Sequence, residues 1–198
     1  MQDTQPANSE QVADIPGNIF LVGMMGAGKT SVGRVLAKRL SKAFYDSDQV
    51  IEQRTGVKIS LIFEIEGEVG FRHRESVVLD EMTALEEVVL ATGGGAVLAQ
   101  ENRNKLRSRG TVVYLRASVK DLINRTRHDK NRPLLQTADP RARLNELYEM
   151  RDPLYREVAH VTIDTGSQSL ATLVHRLHHA LEARCHRSGK TGQPQCEP

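Results

Sequence analysis

The sequence predicts an open α/β fold, a parallel sheet with helices packed on both faces. Three observations predict it. Short apolar runs alternate with amphipathic stretches along the chain. The apolar runs are continuous rather than alternating, as they are in strands covered on both faces. A glycine-rich turn joins the first run directly to the first amphipathic stretch. The predicted strands are Asn18–Val22, Ala43–Tyr45, Val88–Ala91, Thr111–Leu115 and Val161–Asp164. Strand, helix and strand in succession require right-handed crossovers. The 198 residues suffice for one such domain.

The helices follow in order. Lys29–Leu40 places Val32, Val35, Leu36 and Leu40 on one face. Gly67–Glu86 carries Val77, Val78 and Leu79 among charges. Ser118–Arg127 opens on Ser118 and Asp121 at capping-box spacing. Asp139-Pro140 reads as an N-cap followed by proline at the first helical position. Leu170–Leu181 is a last amphipathic helix. Residues 1–17, polar and holding Pro6, Pro16 and Gly17, read as a loose leader. Residues 184–198 read as a polar tail, which leaves one domain over 18–183.

Composition narrows the function. Lys and Arg total 27 against 25 Asp and Glu, a net charge of +2, too balanced for a nucleic-acid footprint. No apolar run approaches the length of a membrane helix, so no membrane partner is expected. The basic residues comprise 19 Arg and 8 Lys. Guanidinium grips phosphate and carboxylate bidentately, which points to small anionic ligands, although a genome rich in G and C writes the same bias. Cys185 and Cys196 both lie near the end of the chain, so the fold owes nothing to disulfides and suits a reducing cytoplasm. Residues 1–18 lack both Lys and Arg and have no apolar core, unlike a secretory or transit segment.

The strongest motif runs from Gly23 to Thr30, GMMGAGKT, and matches GxxxxGK[ST] in full. A predicted strand enters it and a predicted helix leaves it. Successive backbone N–H groups in such a loop form an anion nest at the positive end of the helix. Lys29 reaches toward terminal phosphates, and the Thr30 hydroxyl suits Mg²⁺. A second GKT, at Gly189-Lys190-Thr191, has no strand before it and Arg184 where the first glycine belongs; it is read as tail.

Three further clusters bear on what receives the phosphate. Asp46-Ser47-Asp48 ends the second strand, at the sheet edge where open α/β folds bind ligands. Capping by Asp48 accounts for one carboxylate but not for both. Thr92-Gly93-Gly94-Gly95 follows the third strand, where glycines allow a ligand to touch backbone, or simply a mobile loop. Arginines recur at Arg72 and Arg74, at Arg151, and in a polar stretch from Arg125 to Gln136 that reads as a lid.

In order, GMMGAGKT, FYDSD, GFRHRE, TGGGAV, RHDKNRPLL and RDPLY resemble the shikimate kinase family from about Asn18 to Leu181. The resemblance implies a three-layer P-loop NTPase fold, with a five-stranded parallel sheet in order 2-3-1-4-5 and a mobile lid over about 125–138. It implies transfer of the γ-phosphate of ATP to the 3-hydroxyl of shikimate, on the route to chorismate and the aromatic amino acids. Gly26, Ala27, Gly28, Lys29, Thr30 and Ser31 would hold ATP, with Thr30 and, through water, Asp46 at Mg²⁺. Asp48 would bind the ring hydroxyls and serve as candidate base. Arg72 and Arg151 would grip the carboxylate, with Glu75 orienting Arg72. Gly93, Gly94 and Gly95 would touch the ring through backbone N–H groups. Arg132 would descend with the lid, and Arg125 would stack near adenine. A cytoplasmic monomer is implied.

Two features depart from that pattern: the loop Thr165–Ser169 lacks the proline some members place beside adenine, and His128 and Asp129 make the lid tip idiosyncratic. The alternative is another small-molecule P-loop kinase, of gluconate or nucleotide type, or a nucleotide switch of slow hydrolysis. The chain has no Trp and few aromatics for a base pocket, and an Asp pair suits a polyol. His175, His178 and His179, with Cys185 and His186, have ligand-like spacing but read better as a polar helix face than as a metal site.

Overall fold

The computed structural model describes residues 15–127, 133–135, 137–166 and 168–189. Among these, five strands form one sheet: β1 (Ile19–Val22), β2 (Ala43–Asp46), β3 (Val88–Ala91), β4 (Thr111–Arg116) and β5 (Val161–Asp164). Their spatial order is β2-β3-β1-β4-β5, and each neighbouring pair is parallel. The central strand pairs Ile19 with Val89 on one side and with Thr111 on the other. Its four residues are fully buried, as a strand with helices above and below must be. Asn18, expected in β1, instead seals the sheet's entry edge. Its side chain donates to Leu85 O at 2.6 Å and accepts from Val88 N at 3.1 Å.

The helices are α1 (Lys29–Arg39), α2 (Ser47–Thr55), α3 (Ile59–Thr83), α4 (Gln100–Arg109), α5 (Val119–Thr126), α6 (Pro140–Val158) and α7 (Leu170–Gly189), with a short 3₁₀ turn at Pro133–Leu135. Asp139 caps α6 by accepting from Arg141 N and Ala142 N, and Ser118 caps α5, as their spacing predicts.

Three elements differ from expectation. The helix expected from Gly67 begins at Ile59, and Gly67 itself breaks it (φ 68°, ψ −175°). Helix α4 shows no apolar pattern in the sequence because Leu106 is its one buried apolar side chain; polar anchors replace the apolar face. Asn102 donates to Ala96 O at 3.0 Å, and Arg103 to Val97 O at 2.8 Å. Helix α7 continues past Leu181 to Gly189, and Cys185 packs against the core, so helix extends into residues read as tail.

The carboxyl ends of β1, β2 and β3 lie side by side. They open into Gly23–Gly28, Asp46–Asp48 and Thr92–Gly95, so the topology alone assembles the three clusters that the sequence singles out.

Candidate active site

Those three turns rim a cavity of about 620 Å³. Between β1 and α1 the chain turns on Gly26 (φ 78°) and Gly28 (φ 96°), in the left-handed region that side chains resist. Gly26 is also crowded, since a Cβ there would lie 2.8 Å from Thr126 Cγ2. No side chain caps α1 among the described residues, and its first turn carries no acid. Its N–H groups and positive dipole end are left for an anion. Lys29 Nζ arches over the loop, donating to Gly23 O at 2.7 Å and Met24 O at 3.0 Å. Gly26, Gly28, Lys29, Thr30 and Ser31 line the cavity. Ala27 is buried beneath it, its N–H turned to Met24 O at 3.1 Å.

Asp46, rather than Asp48, caps α2. Its Oδ1 accepts from Asp48 N at 3.1 Å and from Gln49 N at 3.4 Å. Its Oδ2 accepts the Thr30 hydroxyl at 2.6 Å. One carboxylate therefore fixes the helix and meets the nest. Hydroxyl and carboxylate oxygens together at the nest fit Mg²⁺, a hard ion that takes one or two protein oxygens beside phosphate and water. Asp48 occupies the first turn of α2 and faces the cavity.

At the other end of the cavity stand Arg72, Glu75 and Arg151. Arg72 donates to Glu75 Oε2 at 2.6 Å and to Glu68 Oε1 at 2.9 Å. Burial works against the Arg72 charge, but those two carboxylates outweigh it and raise its pKa. Burial pushes the Glu75 carboxyl up, against the pull of Arg72 and Arg151. Arg151 is 2% exposed, and burial lowers its pKa, aided by Arg72. Glu75 Oε1 and Arg151 Nε have no hydrogen-bond partner among the described residues. Buried polar atoms are almost always partnered, so these mark a place kept for a ligand.

The glycine run has two causes. A Cβ on Gly93 would overlap Glu75 Oε1 and lie 2.8 Å from Asp48 Oδ1; one on Gly95 would overlap the Arg72 guanidinium. These glycines admit the site's own charged side chains. The Gly93 N–H, expected to reach a ring, donates to the buried Ser47 Oγ at 2.8 Å. A Cβ on Gly94 would make only ordinary contacts, the nearest at 3.5 Å.

Arg125 joins α5 to the nest, donating to Gly26 O at 3.3 Å, Thr165 Oγ1 at 3.2 Å and Gly166 O at 2.7 Å. It lines the same cavity. Arg132, His128 and Asp129 lie outside the described residues. The cavity also takes in Ile59, Phe63, Phe71 and Leu134, an apolar wall not singled out in the sequence. Phe63 and Phe71 have ring centroids 4.7 Å apart, and their eight-residue spacing across Gly67 hides that contact from any helical pattern.

A glycine nest at a helix start, a hydroxyl–carboxylate pair beside it and two guanidiniums at the far end of the same cavity are the features of a P-loop small-molecule kinase. The fold alone is shared more widely: a gluconokinase from Sinorhizobium meliloti superposes with a TM-score of 0.58 at 18% identity, covering 91% of this chain and 100% of that one. Closer likeness is specific. The shikimate kinase family profile matches residues 25–182, and the chain belongs to that family. It is 61% identical to the shikimate kinase of Chromobacterium violaceum over 82% of this chain and 89% of that one. It is 65% identical to that of Nitrosospira multiformis over 77% and 78%. The structure of the Acinetobacter baumannii shikimate kinase in complex with shikimate superposes with a TM-score of 0.83 at 53% identity, covering 85% and 94%.

Proposed function

We propose that this cavity transfers the γ-phosphoryl group of ATP to the 3-hydroxyl of shikimate, giving ADP and shikimate 3-phosphate. Arg151 carries the reading. A fully buried guanidinium with an unpartnered Nε, sharing a cavity with a phosphate nest, calls for an organic anion beside the nucleotide.

In this reading the backbone N–H groups of Gly26, Gly28, Lys29 and Thr30 cradle the phosphates. Lys29 exchanges its loop carbonyls for the β- and γ-phosphates as the nucleotide arrives. Thr30, with Asp46 behind it, would hold Mg²⁺, which would supply charge neutralisation on the phosphates. Arg72 and Arg151 take the acid's carboxylate, with Glu75 fixing Arg72. Phe63, Phe71 and Leu134 cover the ring and exclude water. Asp48 orients the attacked hydroxyl and receives its proton as the oxygen–phosphorus bond forms and the bridging bond to ADP breaks. Little covalent work is asked of the protein, since phosphoryl transfer gains most from alignment and from charge stabilisation. Arg125 and Arg132 are assigned to the nucleotide and lid side. The chain is read as a cytoplasmic monomer; no helix among the described residues is long and apolar enough to cross a membrane.

The test is isothermal titration of shikimate with and without a non-hydrolysable ATP analogue, beside coupled ADP release. Saturable shikimate binding and shikimate-dependent ADP release are expected. ADP release indifferent to shikimate refutes the assignment.

A further inference from the structure

Tyr155 makes polar contacts as well as filling the core. It sits one helical turn after Arg151 on the same face of α6 and is fully buried. Its ring lies against Tyr114, with centroids 5.0 Å apart and planes at 28°. Its hydroxyl donates to the Gly94 carbonyl and contacts Met24 Sδ at 3.7 Å. The Arg151 guanidinium interacts with the same hydroxyl. One oxygen therefore touches the glycine turn, the phosphate loop and the carboxylate clamp. The turn is held from its other side as well, by Gly93 N–H on Ser47 Oγ and by Thr92 N and Oγ1 on Leu21 O, each at 3.1 Å.

We propose that Tyr155 is a positioning residue: its hydroxyl fixes the Gly94 carbonyl and the aim of Arg151 relative to the phosphate loop, and so aligns the acid with the transferring group. The inference rests on the reading of this site as one for ATP and shikimate. Within the chain a comparison is built in. Tyr114 is equally buried and stacked on Tyr155, but its hydroxyl donates to Asp152 Oδ1 at 2.7 Å instead of to the glycine turn. Removing either hydroxyl as Phe keeps the ring and its packing, so loss of one buried hydroxyl is common to both and only the partner differs.

The experiment compares Tyr155→Phe and Tyr114→Phe in coupled ADP release, with thermal unfolding of each. Tyr155→Phe is expected to lower kcat by about tenfold, the scale of a small misalignment of reacting groups, and to raise KM for shikimate while KM for ATP stays within about twofold. Tyr114→Phe is expected to keep all three within about twofold, whatever its melting temperature. Equal kinetics for the two variants would overturn the inference and leave the assigned reaction standing. A wild-type chain without shikimate-dependent turnover would overturn both. Should Tyr155→Phe not fold, wild-type protein labelled at tyrosine Cζ serves instead. Shikimate should shift the Tyr155 carbon resonance and leave that of Tyr114 in place, and a stationary Tyr155 resonance overturns the proposal.

Discussion

Gly95→Ala separates the clamp from the stability of the fold. The added methyl would land on the Arg72 guanidinium, touching its central carbon and both terminal nitrogens. What it strikes is the far end of a flexible side chain, and Gly95 has no positive φ for the alanine to strain. The guanidinium can swing out along α3 toward Glu68. The fold should therefore tolerate the methyl, while the acid loses one arm of its clamp. A hydrogen bond to a charged group is worth about 1.5–3 kcal/mol, and 1.36 kcal/mol is a factor of ten. KM for shikimate should rise about ten- to a hundredfold at saturating ATP, with KM for ATP nearly unchanged. Gly94→Ala adds the same methyl one residue away without striking Arg72, its nearest neighbours lying at ordinary contact distance. Initial rates of coupled ADP release over a shikimate series, with melting curves for each protein, carry the comparison. A Gly95→Ala enzyme of native stability and native KM for shikimate would refute the placement of Arg72.

Other outcomes follow from the same geometry. Lys29→Ala should lower kcat by roughly 10²–10³, the scale of losing one preorganised charge-stabilising group, with unfolding unchanged; near-normal turnover would remove the phosphate nest from the reaction. For Glu75, burial raises the folded pKa above 4.5, so the native state binds the proton more tightly than the unfolded chain. Its contribution to stability is present below that ordinary value and is lost as pH rises through the raised one. Urea midpoints of Glu75→Gln from mildly acid to neutral pH should show a flatter slope than wild type, and an identical slope would contradict the burial argument. Truncation after Gly189 should leave melting unchanged, whereas truncation after Glu182 removes the Cys185 contact with the core and should cost about 1 kcal/mol. Equal melting of the two would show that this last turn of α7 contributes nothing.

Much of this architecture is legible without coordinates, for a physical reason. β1 and β3 are continuous apolar runs because both of their faces are covered, and Gly28 stands where a left-handed turn delivers the chain into a helix. Such features are local, and composition records them. What stays hidden is made of pairs distant in sequence. Helix α4 buries Asn102 and Arg103 on carbonyl partners, so it shows no apolar stripe. Gly93 and Gly95 look like a flexible loop until Glu75 and Arg72 are seen occupying the space a Cβ would need. Asp48 is as good a helix cap on paper as Asp46. Asp46 takes the cap because the helix begins at Ser47 and leaves Asp46 extended, and its second oxygen accepts the Thr30 hydroxyl from sixteen residues earlier.

The guanidiniums of Arg72 and Arg151 are not equivalent, and on the proposed reading that difference bears on the choice of substrate. Arg72 is half-satisfied in advance by Glu75 and Glu68, while no carboxylate bonds Arg151 among the described residues. A buried cation without a bonded anion is costly, and the protein carries that cost until a ligand relieves it. A neutral polyol could hydrogen-bond Arg151 but could not offset its charge. A carboxylate would do both, and on the proposed reading it would offset the mutual repulsion of Arg72 and Arg151. On the proposed reading, selectivity for an acid over an uncharged alcohol would come from the desolvated charge itself rather than from the number of contacts. Glu75, buried beside the pair, and Glu68 both bond Arg72 and both pull the Arg151 pKa upward, yet neither forms an ion pair with Arg151.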